Sequence, residues 1–268
     1  MRLLTWNVAR RVTRLAEQAA AISERRADVI ALQEVTARTL PLWRNACEAI
    51  GLSNVLASFD WADPAREPIA RRRTCVLIAA RTPLRAVSRI SAPWSETVAG
   101  AVVETELGPV EVNCAHVPNA SNGWIKIETL ESIRAGLAGL PPAPRLLCGD
   151  LNTPRREHPD GTVLSFGRDH RGNLRAERGA RWDEGELGVV PGLRDLGYSD
   201  AFRSLHGYER REPSWTWQQR AGHGGGWRLD HIFASAELRP VRCVYHHDWR
   251  DDTLSDHSAL EADVELAG

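Results

Sequence analysis

The sequence predicts an α/β fold in which two packed sheets carry helices on their outer faces. Three observations point to it. Apolar strand-like runs alternate with helical periods through residues 1–50, short β-branched-rich runs fill the middle, and strand-like runs return at the end.

Arg2 to Trp6 is a short apolar run suited to a buried strand, with Asn7 at its end. Val12, Leu15, Ala16, Ala19 and Ile22 recur at helical spacing, which predicts a helix over about residues 11–25. Asp28 to Leu32 reads as a second strand ending at Gln33-Glu34, and Leu40, Trp43, Cys47 and Ile50 mark a second helix stopped by Gly51. Segments 74–80, 84–90, 100–106 and 109–116 read as closely spaced strands that should pair antiparallel. Ser121 or Asn122 can cap a helix carrying Ile127, Leu130, Ile133, Leu137 and Leu140, which Pro141-Pro142 ends. Arg145 to Cys148 is a buried strand running into Gly149-Asp150. Residues 155–190, polar and rich in glycine and charge, read as a surface excursion, mobile or facing a substrate. Strands return at 229–234, 239–245 and 258–264. One domain over 1–268 fits this pattern.

The chain has 268 residues, 43% hydrophobic and 26% charged, enough to bury a core and too apolar for a disordered chain. No apolar run is long enough for a membrane-spanning helix. The net charge of −1 excludes a strongly basic protein but leaves room for a local basic groove, with Arg66, Arg71, Arg72, Arg73, Arg155 and Arg156 as its candidates. Of 34 basic residues only Lys126 is a lysine. The five cysteines form no CxxC pair and have apolar neighbours, so buried free thiols and cytoplasmic residence are expected. Ten tryptophans, several near turn-rich segments, suit core packing or stacking on bases.

Acidic and amide residues recur where short apolar strands end: Asn7, Gln33-Glu34 and Asp150-Leu151-Asn152, with Asp230 opening another strand and Asp256-His257 entering the last. Polar groups so placed can converge on one rim. Leu4-Thr5-Trp6-Asn7, Ala31-Leu32-Gln33-Glu34, Gly149-Asp150-Leu151-Asn152-Thr153-Pro154, Leu229-Asp230-His231-Ile232 and Ser255-Asp256-His257 together resemble the endonuclease/exonuclease/phosphatase superfamily. The resemblance runs from residue 4 to residue 260 and implies a four-layered α/β sandwich, two facing mixed sheets with helices outside.

That resemblance implies a divalent-metal-dependent phosphodiester hydrolase. Glu34, Asn7 and Asp256 would be oxygen ligands for Mg²⁺, with Mn²⁺ as a substitute. Asp150 would orient or deprotonate the attacking water, and Asn152 would hold that water or the phosphate. His257 would donate to a phosphate oxygen with its ring fixed by Asp230. His116 stands where abasic-site endonucleases carry tyrosine and deoxyribonuclease I carries histidine. It would bind phosphate or act as a general acid, with Asn119 beside it on the phosphate.

The segments Trp182 to Phe202, Pro213 to Trp217 and Gly226 to Asp230 resemble exonuclease III and related abasic endonucleases. There, the residues matching Trp227 and Leu229 line a pocket for a flipped-out abasic sugar. Ser214 falls where a pocket aromatic is expected, with Trp215 or Trp217 available to replace it, and Ala9 replaces a polar or acidic neighbour of the metal site. With His116, these departures argue against strong abasic-site preference.

The histidines and acids of residues 246–257 lack metal-binding HExxH or CxxC spacing, and no G-x-S-x-G elbow or P-loop is present. A non-catalytic binding module would be expected to have lost an acid or the histidine, and all are retained. The resemblance therefore implies an enzyme acting on phosphodiesters, a DNA nuclease of exonuclease III-like type, expected as a monomer. The alternative is a phosphatase or phosphodiesterase for a small phosphorylated molecule or lipid headgroup.

Overall fold

A computed structural model describes residues 1–62, 73–218 and 224–268. Along the chain come β1 (Arg2–Asn7), α1 (Leu15–Arg25), β2 (Val29–Thr36), α2 (Leu40–Ala49), β3 (Asn54–Ala57), β4 (Thr74–Ala80) and β5 (Leu84–Val87). The centre holds β6 (Val98–Thr105), β7 (Gly108–His116), α3 (Trp124–Leu137), β8 (Arg145–Asp150), β9 (Arg156–Glu157), β10 (Val163–Leu164) and α4 (Gly179–Leu187). Then follow β11 (Ser199–Asp200), α5 (Ala201–His206), β12 (Trp215–Gln218) and β13 (Gly224–Trp227). The chain closes with β14 (Asp230–Ala234), β15 (Leu238–His246), α6 (His247–Asp251) and β16 (Ala259–Leu266).

Among the described residues two six-stranded sheets form, ordered β15-β16-β1-β2-β4-β3 and β11-β14-β8-β7-β6-β5. Each is mixed, with one parallel pair, β1 with β2 and β7 with β8. The strands read as unbroken apolar runs because both faces of each sheet are covered. Leu3, Val29, Ala31, Val76 and Ile78 of the first sheet meet Val110, Val112, Cys114, Leu146 and Cys148 of the second between the sheets. Leu4, Trp6, Ile30, Leu32 and Leu77 face outward onto α1 and α2, and Ala115, Leu147 and Phe233 face outward onto α3. The result is the expected four-layered α/β sandwich. All five cysteines are free and buried.

Several elements differ from the sequence reading. The first helix begins at Leu15, not near residue 11, because Ala9 and Arg10 turn through left-handed backbone at φ 52° and 56°. Gln33 and Glu34 do not follow the second strand but lie inside it, where the register with β4 shifts between Leu32 and Val35. The antiparallel pairing of consecutive strands holds for β5–β6 and β6–β7. It fails between β4 and β5, which belong to different sheets. Gly123, not Ser121 or Asn122, precedes α3, while Asn119 caps the short 3₁₀ turn before it. The segment 155–190 is tied into the fold: its helix α4 buries Trp182 against α3, and Glu186 is fully buried. Arg66, Arg71 and Arg72, and the side chain of Trp217, lie outside the described residues.

Candidate active site

The site starts from a row across the second sheet. His116 on β7 pairs in register with Asp150 on β8, and Asp150 pairs with Asp230 on β14. Residues on one row point to the same face, so two carboxylates and an imidazole project together. Gly149 makes the approach possible. At φ 129° it lies where side chains are strained, and a Cβ there would come within 2.0 Å of the Ala115 carbonyl oxygen.

The first sheet supplies the opposite wall. Asn7 ends β1 and donates from Nδ2 to Asp150 Oδ2 at 3.0 Å, while its Oδ1 accepts the Ala9 N–H at 2.9 Å. Glu34 turns out of β2 at its bulge, at φ 58°. Its Oε1 lies 3.7 Å from His116 Nε2, and its Oε2 pairs with Arg10 Nε at 2.9 Å. The segment carrying Asp256 and His257 is laced to β1: Ser255 Oγ donates to the Asn7 carbonyl at 2.6 Å, and Trp6 Nε1 donates to the His257 carbonyl at 2.9 Å.

His257 sits between two acids, with Nδ1 at 2.8 Å from Asp230 Oδ2 and Nε2 at 3.7 Å from Asp150 Oδ2. Burial disfavours the charged ring, but the two carboxylates outweigh it and push its pKa up to about 10. Burial likewise raises the Asp150 carboxyl, against the pull of His257 and His116. An imidazolium beside a carboxyl of raised pKa is a paired acid and base.

Ligand atoms of Asp150, Asp230 and His257 lie within 4.8 Å of one another. A cationic ring between the two acids makes this group a poor cation site. The oxygen groups beside it that suit a hard cation are the carboxylates of Glu34 and Asp150, with Asn7 behind them turning its Oδ1 to the Ala9 N–H and its Nδ2 to Asp150. Asp256, the third expected ligand, is exposed at the rim, where Trp215 Nε1 donates to its Oδ2 at 3.4 Å. Asp230 Oδ1 is buried behind the floor of the site without a hydrogen-bond partner.

Asn152, at φ 50°, takes its backbone N–H to Asp150 Oδ1 at 2.9 Å and donates from its amide to the Val117 carbonyl at 2.8 Å. Asn119 is exposed, and its Oδ1 accepts from the Ser121 N–H at 3.1 Å. Glu34, His116, Asn119, Asp150, Asn152, Asp256 and His257 line one cleft of about 630 Å³, together with Arg10, Arg73, Trp94, Trp215, Trp227 and Leu229, while Asn7 and Asp230 lie behind it.

One wall of the cleft is aromatic. Trp215 stacks on Trp227 with ring centres 5.2 Å apart and planes 11° from parallel, and Phe166 meets Trp227 edge-on at 5.0 Å. Ser214 is not the vacant aromatic position expected from the sequence. It is buried beneath the wall, and its hydroxyl accepts the N–H groups of Leu229 and Asp230 at 2.9 and 3.2 Å. Trp215 takes the wall position instead. Beyond Trp227, a second hollow of about 560 Å³ is lined by Arg155, Arg156 and Arg211 among others.

Sequence reasoning missed two supports of the site. Lys126, fully buried, donates from Nζ to the Asn152 carbonyl at 2.8 Å and to Glu186 at 2.6 Å. Being the only lysine was its one signal. Buried Arg228 pairs with Glu157 and Asp200, each at 2.6 Å, and so anchors the strand entry to Asp230. Nothing in the local sequence pairs those three.

The sequence profile of the Endonuclease/Exonuclease/phosphatase family matches residues 4–257. The chain is 32% identical over 155 residues to DNA repair nuclease APEX1 of Danio rerio, an alignment covering 54% of this chain and 46% of that protein. It thus spans about half the length of that curated relative. Its fold is similar to that of an AP endonuclease from Archaeoglobus fulgidus (TM-score 0.72, 21% identity, 99% of both chains). It is also similar to 3′ phosphatase NExo from Neisseria bound to a product DNA hairpin (TM-score 0.63, 19% identity, 99% of both chains). A third likeness is to D. rerio TDP2 complexed with single-strand DNA product (TM-score 0.63, 15% identity, 99% of this chain and 98% of that one). The chain belongs to the Endonuclease/Exonuclease/phosphatase family, whose enzymes hydrolyse phosphate esters.

Proposed function

We propose that this protein is a Mg²⁺- or Mn²⁺-dependent phosphodiesterase that cuts DNA in the manner of exonuclease III and the abasic endonucleases. The observation that carries the reading is the placing of an acid–histidine floor against an aromatic wall in one cleft. The floor suits a phosphate and an attacking water, and the wall suits a sugar or base. The arginines of the adjoining hollow offer the next phosphates their partners.

A bound divalent cation would sit on Glu34, with Asn7 and Asp256 as the further oxygen groups, and would supply charge neutralisation for the phosphate. Asp150, steered by Asn7 Nδ2 and the Asn152 N–H, takes the proton of the attacking water. His257, held protonated by Asp230, donates to a phosphate oxygen. His116, within 4 Å of both Glu34 and Asp150, faces the same phosphate from the β7 side, and Asn119 offers its amide at the rim.

The test compares cleavage of an intact duplex, the same duplex with one abasic analogue, a 3′-phosphate duplex and an activated small phosphodiester. Chelation should abolish turnover, Mg²⁺ or Mn²⁺ should restore it, and Glu34→Ala should lose most of the metal response. With His116 in place of the tyrosine, and Trp215 lying flat on Trp227 so that nothing fits between the two rings, we expect cleavage of both duplexes and an abasic preference below about 10³. Turnover of the small ester without cleavage of any DNA would refute the assignment and move the protein to the phosphatase branch.

A further inference from the structure

The contact between Arg10 and Glu34 is built by unusual backbone. Ala9 and Arg10 are both left-handed, and Glu34 meets them from another left-handed position across the cleft mouth. Residues with a Cβ adopt that conformation at a cost, so three at one contact indicate a site that holds them there. The turn is pinned by the Ala9 N–H to Asn7 Oδ1 at 2.9 Å and by the Arg11 N–H to the Val8 carbonyl at 3.1 Å. The partners differ in freedom. The Arg10 side chain keeps 54% of its surface exposed and the Glu34 side chain 19%, so Arg10 is the one able to leave.

We propose that Arg10 is a displaceable counter-cation of Glu34, which competes with the divalent ion for this carboxylate and, once released, binds a substrate phosphate. The inference rests on reading Glu34 as the ion's carboxylate. A guanidinium on Oε2 blocks one of two oxygens and repels an approaching dication. A divalent ion that needs oxygen ligands at close range has to move it. The released side chain stays at the mouth of the cleft it already lines, where a phosphate oxygen pair fits its planar fork. Metal and substrate then reinforce each other, because phosphate draws Arg10 off the carboxylate that the ion requires.

The test is Mn²⁺ binding by calorimetry without substrate, on the wild type and on R10A, R10G, R11A and E34A. Glycine accepts the left-handed backbone at position 10, so R10G controls for folding. R11A removes the same charge from an exposed neighbour. We expect R10A and R10G to bind Mn²⁺ about three- to tenfold tighter, R11A to stay within about twofold, and E34A to lose binding. On DNA the two Arg10 variants should need less metal yet show a raised KM. Unchanged or weaker Mn²⁺ binding in both would overturn the proposal, and an equal gain in R11A would reduce it to general charge. An unchanged KM would remove the phosphate role. If E34A binds Mn²⁺ as the wild type does, the reading of Glu34 fails first and the proposal with it.

Discussion

Replacing Lys126 with methionine isolates a buried ion pair that supports the candidate site from behind. Lys126 and Glu186 are both fully buried, with Nζ and Oε1 2.6 Å apart. Methionine fills the space of the lysine stem but leaves Glu186 without its cation. Removing one partner of a buried pair costs about 3–5 kcal/mol. Glu186 retains three donors, Thr153 Oγ1 at 2.8 Å, the Phe166 N–H at 2.8 Å and Trp182 Nε1 at 2.7 Å. The loss should therefore fall at the low end, about 3 kcal/mol. Adding Glu186→Gln removes the stranded charge and should recover at least about 1 kcal/mol, measured as a coupling in urea unfolding. Activity should fall too, because Lys126 also holds the Asn152 carbonyl, and Asn152 in turn gives its N–H to Asp150. We expect kcat to drop about tenfold with KM little changed, a pattern of lost positioning rather than lost binding. A stability loss under about 1 kcal/mol would refute the ion-pair argument. Lost stability at full kcat would refute the link to Asn152.

Asp150→Asn and His257→Ala should each cost about 10²–10⁴-fold in kcat, and Asp230→Asn less, since Asp230 acts through the ring. Asp230→Asn also removes the main charge holding His257 protonated, so the alkaline limb of its pH–rate profile should move to lower pH; an unmoved limb contradicts the pairing. Glu157 is held down to about 2 by Arg228 and Arg203 against the opposing effect of burial. Because its folded value lies below the unfolded one, it stabilises the fold above about pH 4.5, and this is lost as pH falls towards 2. Glu157→Gln should then cost about 3 kcal/mol at pH 7, with the gap to wild type closing in acid; a gap independent of pH would contradict this. Gly149→Ala should destabilise by more than about 3 kcal/mol, since its methyl group meets the Ala115 carbonyl, and a normal melting temperature would contradict that geometry.

The sequence made the layers and the floor of the site legible for one reason. Both depend on short-range pattern: apolar runs buried on two faces, and polar residues where those runs stop. What it hid depends on distance or backbone. The bulge that turns Glu34 out of β2 leaves no residue signature, as no glycine marks it. Trp215 and Ser214 are neighbours, and only the strand pairing of β12 with β13 decides which faces the cleft and which is buried. Residues 155–190 looked like free surface because their anchors, Trp182 and Glu186, find partners on a helix far away in the chain. Lys126 and Glu186 lie 60 residues apart, and no local period connects them.

The row His116–Asp150–Asp230 works as a ruler. Interstrand spacing, near 5 Å wherever sheets form, sets the distance between these three side chains, and hydrogen bonds of the ladder hold it. Such a gauge cannot be adjusted by small increments. A strand slipped by one residue turns its side chain to the opposite face. Change at this site therefore comes in whole steps or not at all along the row, while exposed rim residues such as Asn119 and Asp256 are not tied to that spacing. The row and the rim can therefore be altered separately, the first only by whole residues and the second one side chain at a time.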